Sequence, residues 1–522
     1  MGEKAKHDNT NKAIMLSMAM SLCAKALNFG QSMVVSYAFG TNQSTDILFY
    51  SLSMLLLLTA FLGAVNHQVI VPTVIDLRNN ESEERSKEFM SYIYVLYAGI
   101  GLVGVGLLMV SPENVLSLLS RFPGEAVSEN MGIIRFIIPS LLLIILNTYI
   151  LDIFTSYKYF TFPMILDILK NLMIIAVVLG FRGRLGEESL AIGILAGNTA
   201  QFLVLNTLMV VKLKIRPRFR RYAVSGAIKK NILYVITGRA STMLNDFLMI
   251  FLLSGFTAGV FSAMDYAFKI DTVLNMVIVG QITTVVGIKI LELHAGKSFE
   301  ELKKVFLKYL STSLYIIFPL CFILALNARP VISLLFQRGS FGSEDAEITA
   351  LFLRLFVLTV PLELVNGFIV ILIIAKQIQR IAFRWQIFQN VLNIAIMWYV
   401  VGRFGYVGYP AGILVSYIIY ILLLCYFLLK SEFGFIGPWA VIRPCFQHVI
   451  LNICVSGAVL LIFRGFDSGT GHIADMVRII CVASVYAGLF IGASYLSGFH
   501  RETLEAALNR LKGLLWRRKL EA

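Results

Sequence analysis

Fourteen apolar stretches, each long enough to cross a bilayer, fill nearly all of this 522-residue chain. A hydrocarbon core about 30 Å thick needs roughly 20 apolar residues per helix. The spans read as 13–39, 46–75, 89–111, 132–157, 162–181, 189–211, 231–254, 257–288, 305–327, 349–375, 383–402, 407–429, 444–463 and 476–497. Only 15% of residues are charged, against about a quarter in an ordinary soluble domain. The predicted fold is therefore an all-α polytopic membrane protein with 14 transmembrane helices.

The net charge of +14 would suggest a nucleic-acid partner, but its distribution excludes that reading. Alternate loops, counted from the N-terminus, hold 30 of the 45 Lys and Arg residues, and the opposite loops hold 8. Lys and Arg are retained on the cytoplasmic side, so both termini are expected there. An odd helix count would scramble the alternation. The six cysteines are scattered in or beside spans, with no metal spacing and no disulfide framework.

A weak internal repeat accompanies the topology. Asn171 and Gly193-Ile194-Leu195 recur as Asn390 and Gly412-Ile413-Leu414, and Phe39-Gly40 is matched by Ser254-Gly255. Six helices per repeat keep the same orientation, as in parallel-repeat transporters. The expected organisation is two pseudo-symmetric six-helix lobes, 1–211 and 231–430, joined by a basic linker at 212–230. Two extra helices follow at 431–499, then an amphipathic basic tail at 500–522. The linker and tail are expected to meet anionic membrane lipids.

Charges inside spans are costly, at least ~2.5–3.5 kcal/mol each on insertion scales, and face a polar cavity or a partner. Lys25, Lys170, Arg239 and Lys269 are the deep cations. Pairing within a helix is the simpler account for Asp167 with Lys170, Asp265 with Lys269 and Arg239 with Asp246. Lys25 has no acidic neighbour on its own helix, and neither does Glu363. Asp46 opens its span, where an N-cap competes with a cavity role. Asp246, Asp271 and Glu363 are the candidate proton or Na⁺ sites. No Walker loop, zinc motif or nucleotide fingerprint occurs, so the chain reads as a transporter rather than an enzyme, with no cofactor beyond a coupling ion.

Three segments resemble the MurJ/MviN family of lipid-linked oligosaccharide flippases, within the superfamily that includes multidrug extruders. They are Ala38-Phe39-Gly40 leading to Ser44-Thr45-Asp46, Ser262 through Lys269, and Leu335-Phe336-Gln337-Arg338-Gly339-Ser340-Phe341. The resemblance implies alternating access around a cationic cavity. Its substrate would be an undecaprenyl-pyrophosphate-linked, lipid II-like precursor moved from the inner to the outer leaflet. It further implies a lipid-tail groove at the last two helices and a protein acting as a monomer. Lys25 and Lys269 stand at arginine positions of the family, and Asp46 matches its aspartate. Gln31 replaces another arginine, and Thr59-Ala60 lacks the family's arginine pair. Lysine offers a point charge where arginine offers a bidentate fork, so a looser grip on diphosphate is expected. A cation-coupled drug exporter and a non-transporting scaffold are the alternative readings.

Overall fold

In the computed structural model, residues 2–159, 161–219, 222–464 and 471–498 are described, with side chains from residue 20 onward. The expected tail at 500–522 lies outside them. The helices in chain order are α1 (Gly2–Phe39), α2 (Gln43–Asn80), α3 (Glu83–Val110), α4 (Pro112–Leu119), α5 (Gly124–Glu129) and α6 (Met131–Ser156). Next come α7 (Thr161–Leu185), α8 (Glu188–Lys212), α9 (Gly226–Leu253), α10 (Val260–Ala295), α11 (Phe299–Leu326) and α12 (Ala328–Phe336). The last are α13 (Ser343–Lys376), α14 (Gln379–Phe404), α15 (Gly408–Leu423, continuing through Glu432), α16 (Pro438–Ile462) and α17 (His472–Leu496).

Twelve helical segments among the described residues are long and apolar enough to cross a membrane. One of them, Gln379–Glu432, contains two packed helices, α14 and α15, joined by a 3-10 turn at Gly405–Val407. With α1, every span expected from the sequence falls on a helix. Helices are the outcome because lipid offers no partner for backbone N–H and C=O groups. The helices missing from the sequence reading are short: α4 and α5 lie between the third and fourth spans, and α12 follows the ninth.

The chain packs as two compact units. One comprises Met1–Tyr266 with Phe336–Asp345, and the other Ala267–Leu335 with Ala346–Ala522. In the first, α9 packs on α2 and α1 packs on α7. In the second, the core is built from buried Ile290, Phe306, Ile317, Leu364, Phe368 and Leu424. A satellite of Val455, Val459, Val482, Tyr486 and Phe490 joins α16 to α17, with Tyr315 and Phe322 of α11 packed against it. The repeated glycines allow close helix approach, the rule where lipid supplies no hydrophobic drive. A Cβ on Gly193 would sit 3.3 Å from the Ile174 carbonyl oxygen, and one on Gly412 would sit 2.6 Å from Met397 Sδ.

Candidate functional site

Parts of all three motif segments, residues 38–46, 262–266 and 336–341, meet inside the first unit. The chain leaves α1 at Gly40, in the left-handed region (φ +64), and α2 opens on a capping box. There the Asn42 side chain accepts from the Thr45 backbone N–H at 2.8 Å, and Thr45 Oγ1 accepts from the Asn42 N–H at 2.9 Å. One residue further on, Asp46 is 2% exposed. Its carboxylate accepts the Gly259 N–H at 2.8 Å and the Ser262 N–H at 2.7 Å, and the Ser262 hydroxyl as well. Asp46 is not the cap of its own helix, a place that Asn42 takes; it caps the N-terminus of α10 from another helix. A carboxylate there satisfies orphan N–H groups and complements the helix dipole.

The 336–345 segment closes the same knot. The Ser340 N–H donates to the Tyr37 carbonyl and the Ser340 hydroxyl to the Ala38 carbonyl, each at 3.0 Å. Thr41 donates to Asp345 at 2.5 Å. Tyr266 is fully buried, and its ring contacts Phe49, Phe336 and Phe341. Gly339 sits at φ +62 with its Cα against Tyr37, leaving no space for a side chain. Gly339→Ala should cost about 2 kcal/mol or more, from left-handed strain plus overlap with that backbone. A lower melting temperature in detergent is the expected readout, and an unchanged one would show that this loop is not held as described.

The deep cations divide by setting. Lys25 is exposed near the middle of α1, about 21 Å of helical rise from its Phe39 end. Gln31 is half-buried two turns on. Arg239 and Asp246 are both exposed on α9, and Asp246 accepts from Asn245 at 3.1 Å. Lys269 is half-buried and belongs to the second unit. Lys170 pairs with Asp167 at 3.2 Å, as the helical spacing predicts. That pair belongs to a polar seam in which Gln201 also donates to Asp167 at 3.3 Å and Asn147 donates to Gln201 at 3.3 Å. Asn28 of α1 reaches Asn171 at 3.4 Å.

The second unit brings together two of the three acidic candidates. Asn275 opens a π-helical turn, Asn275–Val279, inside α10, and its amide donates to Asp271 Oδ2 at 3.1 Å. Glu363 of α13 reaches the Asn275 side chain and adds a second carboxylate beside Asp271. Asp271 is 5% exposed, and the buried oxygens Asp271 Oδ1, Asn275 Oδ1 and Asn366 Oδ1 have no hydrogen-bond partner. Asn366 lies one turn from Glu363. Such a concentration of acceptors suits a proton or a small cation.

The first unit holds a counterpart that the sequence reading did not single out. Asn66 opens the π-turn Asn66–Ile70 within α2 and donates to Asp152 of α6 at 2.9 Å. It accepts from the Tyr97 hydroxyl at 2.8 Å. Asn66 and Asn275 thus each open a π-turn within a long helix and face a carboxylate of a later helix, Asp152 and Glu363 respectively. The available signal was a paired Asn at similar spacing, hidden because a π-turn leaves no hydropathy trace. Such turns in helices frequently mark functional positions.

An all-helical, multi-pass bundle with polar side chains gathered inside spans defines a membrane transporter fold. A structure described as the lipid II flippase MurJ in its inward closed conformation superposes with a TM-score of 0.76 at 18% identity, covering 94% of this chain and all of that one. An inward-facing multidrug-resistance MATE transporter of the MOP superfamily gives 0.62 at 14%, covering 83% and 98%. The family model for lipid II flippase MurJ matches residues 35–481. The chain belongs to that family. The probable lipid II flippase MurJ of Borreliella burgdorferi is 23% identical over 421 residues, 80% of this chain and 83% of the relative. That of Aquifex aeolicus is 24% identical, over 67% and 69%.

Proposed function

We propose that this protein flips a pyrophosphate-linked, lipid II-like precursor from the inner to the outer leaflet by alternating access. The observation that carries this reading is family membership across residues 35–481 in a chain that keeps lysines at mid-span. A diphosphate cannot cross hydrocarbon bare, and a lysine ammonium supplies a charge-assisted hydrogen bond that neutralises it in transit. Lys25 of the first unit and Lys269 of the second are assigned to that task, each read within its own unit, with Gln31 and Arg239 as further polar groups of the first. Lysine holds phosphate without the planar fork of arginine, which favours release as well as capture.

The knot around Asp46 acts in this reading as the outer closure. Its hydrogen bonds must part for the substrate to leave, and they re-form to reset the transporter. Both termini lie on the cytoplasmic side. Energy comes from an ion gradient or the membrane potential, with the Asp271–Asn275–Glu363 cluster binding the coupling cation. Glu363→Gln should then abolish the dependence of translocation on a Na⁺ or proton gradient in proteoliposomes while binding of the lipid persists. Retained gradient dependence would remove the cluster from the mechanism.

Native mass spectrometry of the purified protein tests the substrate. A co-isolated polyprenyl-pyrophosphate glycan is the expected adduct. Adducts of amphipathic drugs, with none of that lipid after enrichment of the membranes in it, would favour the exporter reading.

A further inference from the structure

The linker after α8 folds back on the foot of α3. The Ser91 hydroxyl accepts the Arg218 N–H at 2.7 Å and lies 3.3 Å from the carbonyl oxygens of both Arg216 and Arg218. The Tyr222 ring packs on Phe89 and Tyr92. Leu213 and Ile215 are buried, whereas Lys214, Arg216 and Arg218 point outward. The result is a pocket of about 400 Å³ whose walls include Lys87, Lys214, Arg216 and Arg218, with Glu84 and Glu88 the acidic members. Lys87 shares its charge with Glu83 at 2.8 Å. The three linker cations carry no ion pair among the described residues.

Directly beside this pocket, Tyr92 and Phe219 begin an apolar groove of about 710 Å³ that climbs α3 past Gly99 and Gly104 to Leu107. From Tyr92 to Leu107 the helical rise is about 22 Å, longer than the half-thickness of roughly 15 Å of the hydrocarbon core. Phe219 is 93% exposed at the junction. A site with cations at its foot and an acyl-sized slot above matches one class of molecule.

We infer that this face of the first unit binds an anionic glycerophospholipid, its phosphate held by Lys214, Arg216 and Arg218 and one acyl chain lying on the glycine stripe of α3. The inner leaflet supplies such lipids, and each basic residue near an anionic surface adds about a fivefold preference. The site shares no residue with those proposed for the substrate and would anchor the linker to the membrane.

The test is competitive lipid retention by the full-length protein in nanodiscs of phosphatidylglycerol and phosphatidylcholine, read by native mass spectrometry. The wild type should retain phosphatidylglycerol. Arg216→Ala/Arg218→Ala should lower that preference about 25-fold, since only backbone groups of these residues hold the loop to Ser91. Gly99→Leu enters open space, where nothing lies within 4 Å of a Cβ, and should also displace the lipid by filling the slot. Loss with both variants supports the proposal. An unchanged preference in the arginine variant overturns it. Loss in the arginine variant with full retention in Gly99→Leu also overturns it, because a free phosphate-type anion needs the cations and not the slot.

Discussion

Replacing Asp46 with alanine should be among the most damaging single changes in this protein. The substitution leaves the Gly259 and Ser262 N–H groups and the Ser262 hydroxyl without the acceptor they share in a buried place. Each unsatisfied buried donor costs about 1–3 kcal/mol, so the two N–H groups alone imply a loss of about 2–6 kcal/mol, before the lost charge at the α10 N-terminus is counted. Thr45 Oγ1 lies 2.9 Å from the Ser262 hydroxyl, which can turn its single hydrogen there once the carboxylate is gone. Thermal unfolding in detergent should show a large drop for Asp46→Ala, a smaller one for Ser262→Ala, and strong non-additivity in the double variant. A stable Asp46→Ala protein with additive effects would mean that the carboxylate does not cap α10.

The second large effect concerns transport rather than stability. Lys25→Ala/Lys269→Ala should reduce translocation of a pyrophosphate-linked lipid by about 100-fold or more, given ~1.5–3 kcal/mol for each hydrogen bond to a charged group. Lys25 is exposed and Lys269 only half-buried, so the protein should still insert and unfold near the wild-type temperature. Arginine at both positions should preserve binding. Proteoliposomes carrying fluorescent lipid-linked precursor provide the assay, and near-normal flipping by the double alanine variant would reject the proposed roles of these lysines.

These two residues classes read differently from sequence for a physical reason. Lys25 and Lys269 announce themselves because a charge at mid-span is costly wherever the helix packs. Asp46 announces itself only as a carboxylate near a helix start, and its own helix turns out to be capped by Asn42. Its partners lie more than 200 residues away, beyond any local pattern. The segment Leu335 through Phe341 was visible as a motif, yet its purpose, holding the turn after α1, depends on the Tyr37 and Ala38 carbonyls. Asp271 and Glu363 were both visible as acids within spans, while the Asn275 π-turn that joins them was not. Asp152 was visible as an acid within a span, but Asn66 carries no charge, so only the structure shows that the two are joined.

Sequence by itself determined the number and place of the spans, the all-helical class and the charge asymmetry. Those follow from bilayer thickness, backbone hydrogen bonding and the retention of Lys and Arg, all of which act residue by residue along the chain. Only the tertiary structure decided that Asp46 caps α10, that two asparagine π-turns each face a carboxylate, and that the basic linker lies in a pocket at the foot of α3. Such pairings depend on which helices become neighbours, and that is set by packing across hundreds of residues.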